Sequence, residues 1–250
     1  MRKKRIGIHI SDQLRKGLVL LGLFTLCLNA QDISKQMLTS RQHSMVAIAA
    51  LTAVSDYPAL KTALNEGLES NLTIAEIKEV MVHLYPYCGF PKSIRGLQTL
   101  MEVLEERKLR GIMDEMGREA TPLNDERSKY QRGKENLEKL IGRPITAQSA
   151  YAEFTPIIEI FLKEHLFADI FDRDVLTYAE RELVTVSVLS AIGKVEPMLR
   201  AHLNICIYQG YSPEQLQQFI KIIDTVVGEK EAQEALLVLN EVLHAEPPNE

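Results

Sequence analysis

A displacement of 138 residues lays one half of this 250-residue chain on the other. LTSRQHSMVAIAALTAV (38–54) falls on LTYAERELVTVSVLSAI (176–192). After a one-residue adjustment Leu60 meets Leu199, Leu64 meets Leu203, Thr73 meets Ser212, Ile77 meets Leu216 and Gly89 meets Gly228. Few residues are identical, yet apolar positions, helix starts and helix stops coincide over about 55 positions. Unrelated helical segments rarely share cap positions as well as periodicity, so duplication of one helical unit is the simplest account.

The local signals are helical throughout. Thr39 opens the uncharged run MVAIAALTAV, whose alanines favour a buried helix over a strand. Thr73 with Glu76, and Thr177 with Glu180, are capping boxes ahead of apolar runs. Gly89, Gly193 and Gly210 stop helices, and Pro91, Pro197 and Pro213 sit where new ones begin. No run alternates as a half-buried strand would. The polar stretch 108–150, broken by glycines and prolines, is expected to hold a short helix around 127–140. The expected organisation is all-α: a first unit at 31–107, a helical connection at 108–150 and a second unit at 151–245.

Residues 1–30 have a different character. They hold six Lys and Arg against one acid, and a basic stretch precedes the apolar run GLVLLGLFTLCL (17–28) and Ala30. That order fits an export signal cleaved after Ala30, and the run is too short for a stable membrane-spanning helix. The expected location is therefore outside the cytoplasm, in a periplasm. The remainder carries 23 bases against 33 acids, which argues against nucleic acid and against an anionic membrane surface. Removal of residues 1–30 leaves Cys88 and Cys206, which are read as small buried hydrophobes rather than as a disulfide framework.

Two constellations can carry chemistry. In the second unit Arg181 and Glu182 lie in the first turn of one helix, and Arg200 and His202 lie in the next. Antiparallel packing would bring Glu182 towards His202, and a carboxylate beside an imidazole fixes its tautomer for proton transfer near neutral pH. The alternatives are a Glu182 that only favours a helix N-terminus and a His202 that is a core histidine. The corresponding residues of the first unit are Ser44 and Ala63. That unit instead offers Glu79, His83, Tyr85, Tyr87 and Cys88 running into Gly89. Glu79 and His83, one turn apart, are expected to form a solvated surface pair, and no third metal ligand is evident.

YQRGKENLEKLIG, FADIFDRDVLTYAERELVTVSVLSAIG and LRAHLNICIYQGYSPEQL, with TIAEIKEVMVHLYPYCGFPKSIRGL in the first unit, resemble the carboxymuconolactone decarboxylase family. The resemblance implies an all-helical, alkylhydroperoxidase D-like fold in each unit, no cofactor, and assembly in rings of three or six. Decarboxylases of the family act on a carboxylated lactone from aromatic breakdown. The peroxidase branch uses Cys-x-x-Cys followed by histidine, but here Val195 and Met198 stand at that spacing before His202. No dithiol can form there.

Unit one lacks the Glu/His pair but keeps the tyrosine, glycine and proline turn that the resemblance implies, at Tyr87, Gly89 and Pro91; unit two keeps Glu182 and His202 but has VVGEK (226–230) in place of that turn. The expectation is a composite site. Glu182 and His202 are its catalytic pair, and Arg200, Arg181, Glu79, Tyr87 and Cys88 bind a small carboxylated substrate, without metal. Export suggests a substrate other than that of cytoplasmic aromatic breakdown. The rival readings are a redox protein acting through Cys88 or Cys206, and a non-catalytic binding protein. Two units per chain predict a trimer with a pseudo-sixfold arrangement.

Overall fold

The computed structural model describes residues 37–245, so the expected export signal and Cys27 lie outside the described residues. Among them the elements are all helical. Unit one comprises α1 (Ser40–Val54), α2 (Tyr57–Glu69), α3 (Ile74–Cys88) and α4 (Phe90–Leu109). The connection holds α5 (Lys129–Ile141) and α6 (Ala150–Phe154). Then come α7 (Pro156–Phe161) and a π-helix (Leu162–Ile170). Unit two comprises α8 (Tyr178–Ile192), α9 (Glu196–Tyr208), α10 (Pro213–Val226) and α11 (Glu229–His244).

The repeat is visible at its caps. Thr39, Thr73, Thr177 and Ser212 each accept a hydrogen bond from the backbone N–H three residues on, and the N3 side chain returns the contact. Arg41 ties two of these boxes together, reaching Glu76 at 2.6 Å and Glu180 at 2.9 Å. The first helix of each unit, α1 and α8, is apolar on almost every side, which suits elements enclosed by neighbours. Met45 to Ala53 on α1 and Leu183 to Ala191 on α8 are buried residue after residue.

These two central helices pack on one another, and the remaining helices are shared reciprocally. Helix α3 of unit one lies on α8 of unit two, and α10 of unit two lies on α1 of unit one. Within each unit the first helix packs on the second and the third on the fourth. One continuous core therefore contains Met45, Leu64 and Met81 from unit one and Leu183, Leu203 and Phe219 from unit two. The units are not separate domains.

Residues 129–171 add a second, smaller core: Leu140, Leu166, Phe167, Ile170 and Phe171, with Tyr85 and Tyr87 of α3 packed against it. Its close packing depends on Gly133. A Cβ there would lie 1.8 Å from the carbonyl oxygen of Lys163, so only glycine lets α5 approach the π-helix. IIEIFLKEHLF has the periodicity of one ordinary helix, yet from Leu162 to Ile170 the chain winds as a π-helix. Buried Lys163 pairs with Glu159 and lies over the Tyr130 ring.

Candidate functional site

Helix α3 carries Glu79, His83 and Tyr87 at four-residue spacing, on the face turned to α8 and to Phe171. Helix α8 answers with Arg181 and Thr185, also one turn apart. The expected solvated Glu79–His83 pair is corrected here: both residues are buried, at 2% and 0% exposure. A buried carboxylate needs cations, and Glu79 has two. Arg181 Nη2 donates to it at 2.7 Å, and Arg173 chelates it from the segment before α8 at 2.9–3.1 Å.

His83 is held between the two helices. Arg181 Nη1 lies 3.2 Å from His83 Nδ1, and since a guanidinium only donates, Nδ1 must accept. The proton is then on Nε2, which donates to Thr185 Oγ1 at 2.9 Å, and Thr185 in turn donates to the Arg181 carbonyl. Burial, the Arg181 charge and His202 push the His83 pKa well below the usual histidine range, so it stays neutral. The Phe171 ring closes this layer, 5.4 Å from His83 edge-on and beneath the Arg181 guanidinium.

One turn further along α3 the layer opens onto unit two. Tyr87 lies edge-on to His202, with ring centroids 6.1 Å apart, and 5.6 Å from His83. His202 Nδ1 lies 2.7 Å from Glu182 Oε2. Glu182 is fully buried, whereas the His202 side chain keeps 16% exposure. The carboxylate can only accept from Nδ1–H, so Nε2 is left as the free nitrogen of the ring, near solvent. Glu182 Oε1, Tyr87 Oη and Arg181 Nε are buried without a hydrogen-bond partner among the described residues. Burial and the Glu182 charge raise the Tyr87 pKa, so it remains a phenol.

The structure thus places Glu182, His202 and Tyr87 together, with Glu79 behind them, joined through Arg181 and His83. It does not place the two arginines as substrate clamps. Arg181 is 0% exposed and committed to Glu79, His83 and the Arg173 carbonyl. Arg200 is half-exposed and pairs with Glu241 of α11. Cys88 ends α3 beside Gly89, whose φ of 87° makes the turn into α4. Both cysteines are free. Burial raises the Cys88 thiol to about 11 and Cys206, beside Glu182, well above its ordinary value. Among the described residues no three His, Cys, Asp or Glu side chains converge as metal ligands, and no helix is long and apolar enough to cross a membrane.

Arg173, Thr185 and Phe171 were not foreseen as partners of the site. For Thr185 the signal was present: polar residues at strict four-residue spacing inside two otherwise apolar helices mark faces that must satisfy one another.

The family model for the carboxymuconolactone decarboxylase family matches residues 23–101 and 159–241, together more than half of the chain. The chain belongs to this family. Both matches fall on the repeated units, and they agree with the tandem arrangement. A curated 4-carboxymuconolactone decarboxylase from Acinetobacter baylyi (strain ATCC 33305 / BD413 / ADP1) is 27% identical over 122 residues. The similarity covers 48% of this chain and 90% of that relative. The similarity thus spans about half of this chain and nearly all of that relative, and the Glu182–His202 pair lies inside the second stretch matched by the family model. The first match begins at residue 23, inside the apolar run of the expected export signal.

Proposed function

We propose that the protein is a cofactor-independent lyase that removes carbon dioxide from a small carboxylated molecule, with His202 as the proton-transfer group. The observation that supports this most is the 2.7 Å contact between Glu182 and His202 Nδ1, which leaves Nε2 free towards solvent. In such a reaction the bond from substrate carbon to the carboxylate breaks, carbon dioxide leaves, and the electron pair stays on carbon. That carbon takes a proton from Nε2 of protonated His202. Glu182 stabilises the imidazolium before transfer and orients the neutral ring afterwards. Arg181 and Arg200 are engaged elsewhere, so neither is assigned to the departing carboxylate. A strong clamp on that group would stabilise the ground state more than the transition state, so the lyase reading does not need one.

The redox alternative is disfavoured by the thiols. With a pKa of about 11, Cys88 would be thiolate in on the order of one molecule in 10⁴ at neutral pH. Assembly as a homotrimer with six pseudo-equivalent units belongs to the same reading. So does a location outside the cytoplasm, with a substrate unlike that of the Acinetobacter relative. The test is turnover of a panel of small carboxylated lactones and 2-oxo or 3-oxo acids, monitored by carbon dioxide release. Release by the wild-type chain but not by His202→Asn is expected. Binding without release would favour a non-catalytic role, and peroxide consumption with loss of titratable thiol would favour the redox one.

A further inference from the structure

Two buried oxygen atoms beside the catalytic pair have the chemistry of a hydrogen bond but do not make one directly. Tyr87 Oη is a donor, since the phenol stays protonated, and Glu182 Oε1 is the carboxylate oxygen that His202 does not use. Leaving either unmet in a core costs on the order of 1–3 kcal/mol, and buried polar atoms in native proteins are nearly always satisfied. Both residues adjoin the same imidazole: Glu182 through Nδ1, and Tyr87 through its ring edge at 6.1 Å.

The Tyr87 ring has little freedom to turn away. His83 lies one turn before it on α3 and is pinned from both ring nitrogens by Arg181 and Thr185, while Leu166, Phe167 and Phe171 form the core it packs against. Around Tyr87 and His202 stand Glu182, Arg181 and Thr185 from α8, His83 from α3 and Cys206 one turn along α9. Tyr87 Oη and Arg181 Nε each carry a proton with no acceptor at hydrogen-bond distance, and the Thr185 hydroxyl near Tyr87 is already engaged by His83 and the Arg181 carbonyl. Arg181 Nε, also unmatched, belongs to the residue preceding Glu182 on α8.

We propose that Tyr87, supplied by the other repeat, is a positioning residue for Glu182, acting through one buried water that accepts from Tyr87 Oη and donates to Glu182 Oε1. A single water has two donors and two acceptor sites, so it also has capacity for Arg181 Nε–H. This relay fixes the carboxylate plane from behind while His202 holds it from the front. It gives unit one a working part in a site whose catalytic pair is wholly in unit two. The proposal rests on the reading of Glu182 and His202 as the working pair, but its structural arms need no substrate.

The test uses the full chain. A crystal structure that orders solvent should show a water within about 3.2 Å of both Tyr87 Oη and Glu182 Oε1, absent from Tyr87→Phe. The low-field proton signal of His202 Nδ1–H should move between wild type and Tyr87→Phe, because Glu182 loses a donor. With a substrate in hand, kcat should fall ~3- to 10-fold with KM unchanged, the change made by one ordinary hydrogen bond. The proposal is overturned by a wild-type crystal structure with no such water, or by a His202 signal identical in the variant. If Tyr87→Phe does not fold, the wild-type crystal structure decides alone. Absence of turnover on any carboxylated substrate would sink the lyase reading and leave the relay standing.

Discussion

Glu182 and His202, twenty positions apart, meet at 2.7 Å because α8 and α9 are joined by a short turn at Gly193 and pack against each other. The acid is completely buried and the imidazole is not. This asymmetry decides how the pair should be probed. His202→Ala would leave a buried carboxylate without its donor and would lose stability for reasons unrelated to turnover. His202→Asn keeps a donor near the place of Nδ1 but has no Nε2. We expect it to unfold within a few degrees of wild type in a thermal melt while kcat falls by about 10²- to 10⁴-fold. Residual activity near the wild-type value would remove His202 from the mechanism.

The two arginines should separate cleanly. Arg181 is fully buried and neutralises Glu79, so Arg181→Met should destabilise the fold by about 3–5 kcal/mol in a denaturant titration. Arg200→Ala removes a surface pair with Glu241 and should change stability by less than about 1 kcal/mol. It should leave KM unaltered, and a large rise in KM would restore Arg200 as a substrate contact.

His83 gives the stability a pH dependence of known sign. Its folded-state pKa is depressed while the unfolded chain titrates near the ordinary 6.5, so the unfolded state binds the extra proton first. The stability is complete above that value and declines as the pH falls below it, by up to about 1.4 kcal/mol per pH unit for this one group. Denaturation midpoints between pH 7 and 5 should show the decline. His83→Gln, which cannot take up the proton, should flatten it; an equally steep decline in that variant would assign the effect elsewhere.

Export is best settled at the N-terminus. Sequencing of the mature protein from its host is expected to start near Gln31. Cleavage there would also remove residues 23–30 from the first family match, so an intact Met1 in a cytoplasmic fraction would make the apolar run part of the repeat rather than a signal.

Assembly can be read from light scattering. Exposed apolar residues cluster along α6, α7 and the start of α4, among them Phe154, Phe161, Phe90 and Ile94, where a monomer gains nothing from them. A trimeric mass is expected, and a monomeric mass independent of concentration would refute it.

The sequence carried the fold well because its signals were local. Threonine caps, glycine stops and the 138-residue displacement specify each helix without knowledge of its neighbours. The Glu182–His202 contact was legible for the same reason, since only a turn separates the two helices. The meeting of Tyr87 with His202 is legible only through the complementary losses in the two units, and which side chains distant elements cover is not legible at all. Glu79 and His83 look like a surface pair until α8 and the segment carrying Arg173 cover them. Arg181 looks like a ligand clamp until Glu79 is seen to occupy it. The π-helix has no sequence signature beyond its neighbour Gly133, whose reason is a carbonyl thirty residues away.

The reciprocal placement of α3 on α8 and α10 on α1 has an evolutionary corollary. If two identical copies were paired in this way, any substitution on the donated helix would strike both active centres at once. Fusion into one chain ends that constraint. Helix α3 can specialise as a donor to a site it does not otherwise build, while α10, with Val226 where α3 has Tyr87, packs as part of the core margin. With Ser44 and Ala63 standing where unit two has Glu182 and His202, each helix is free to follow its own selection, and the Glu182–His202 site draws on two segments of one chain that can vary independently.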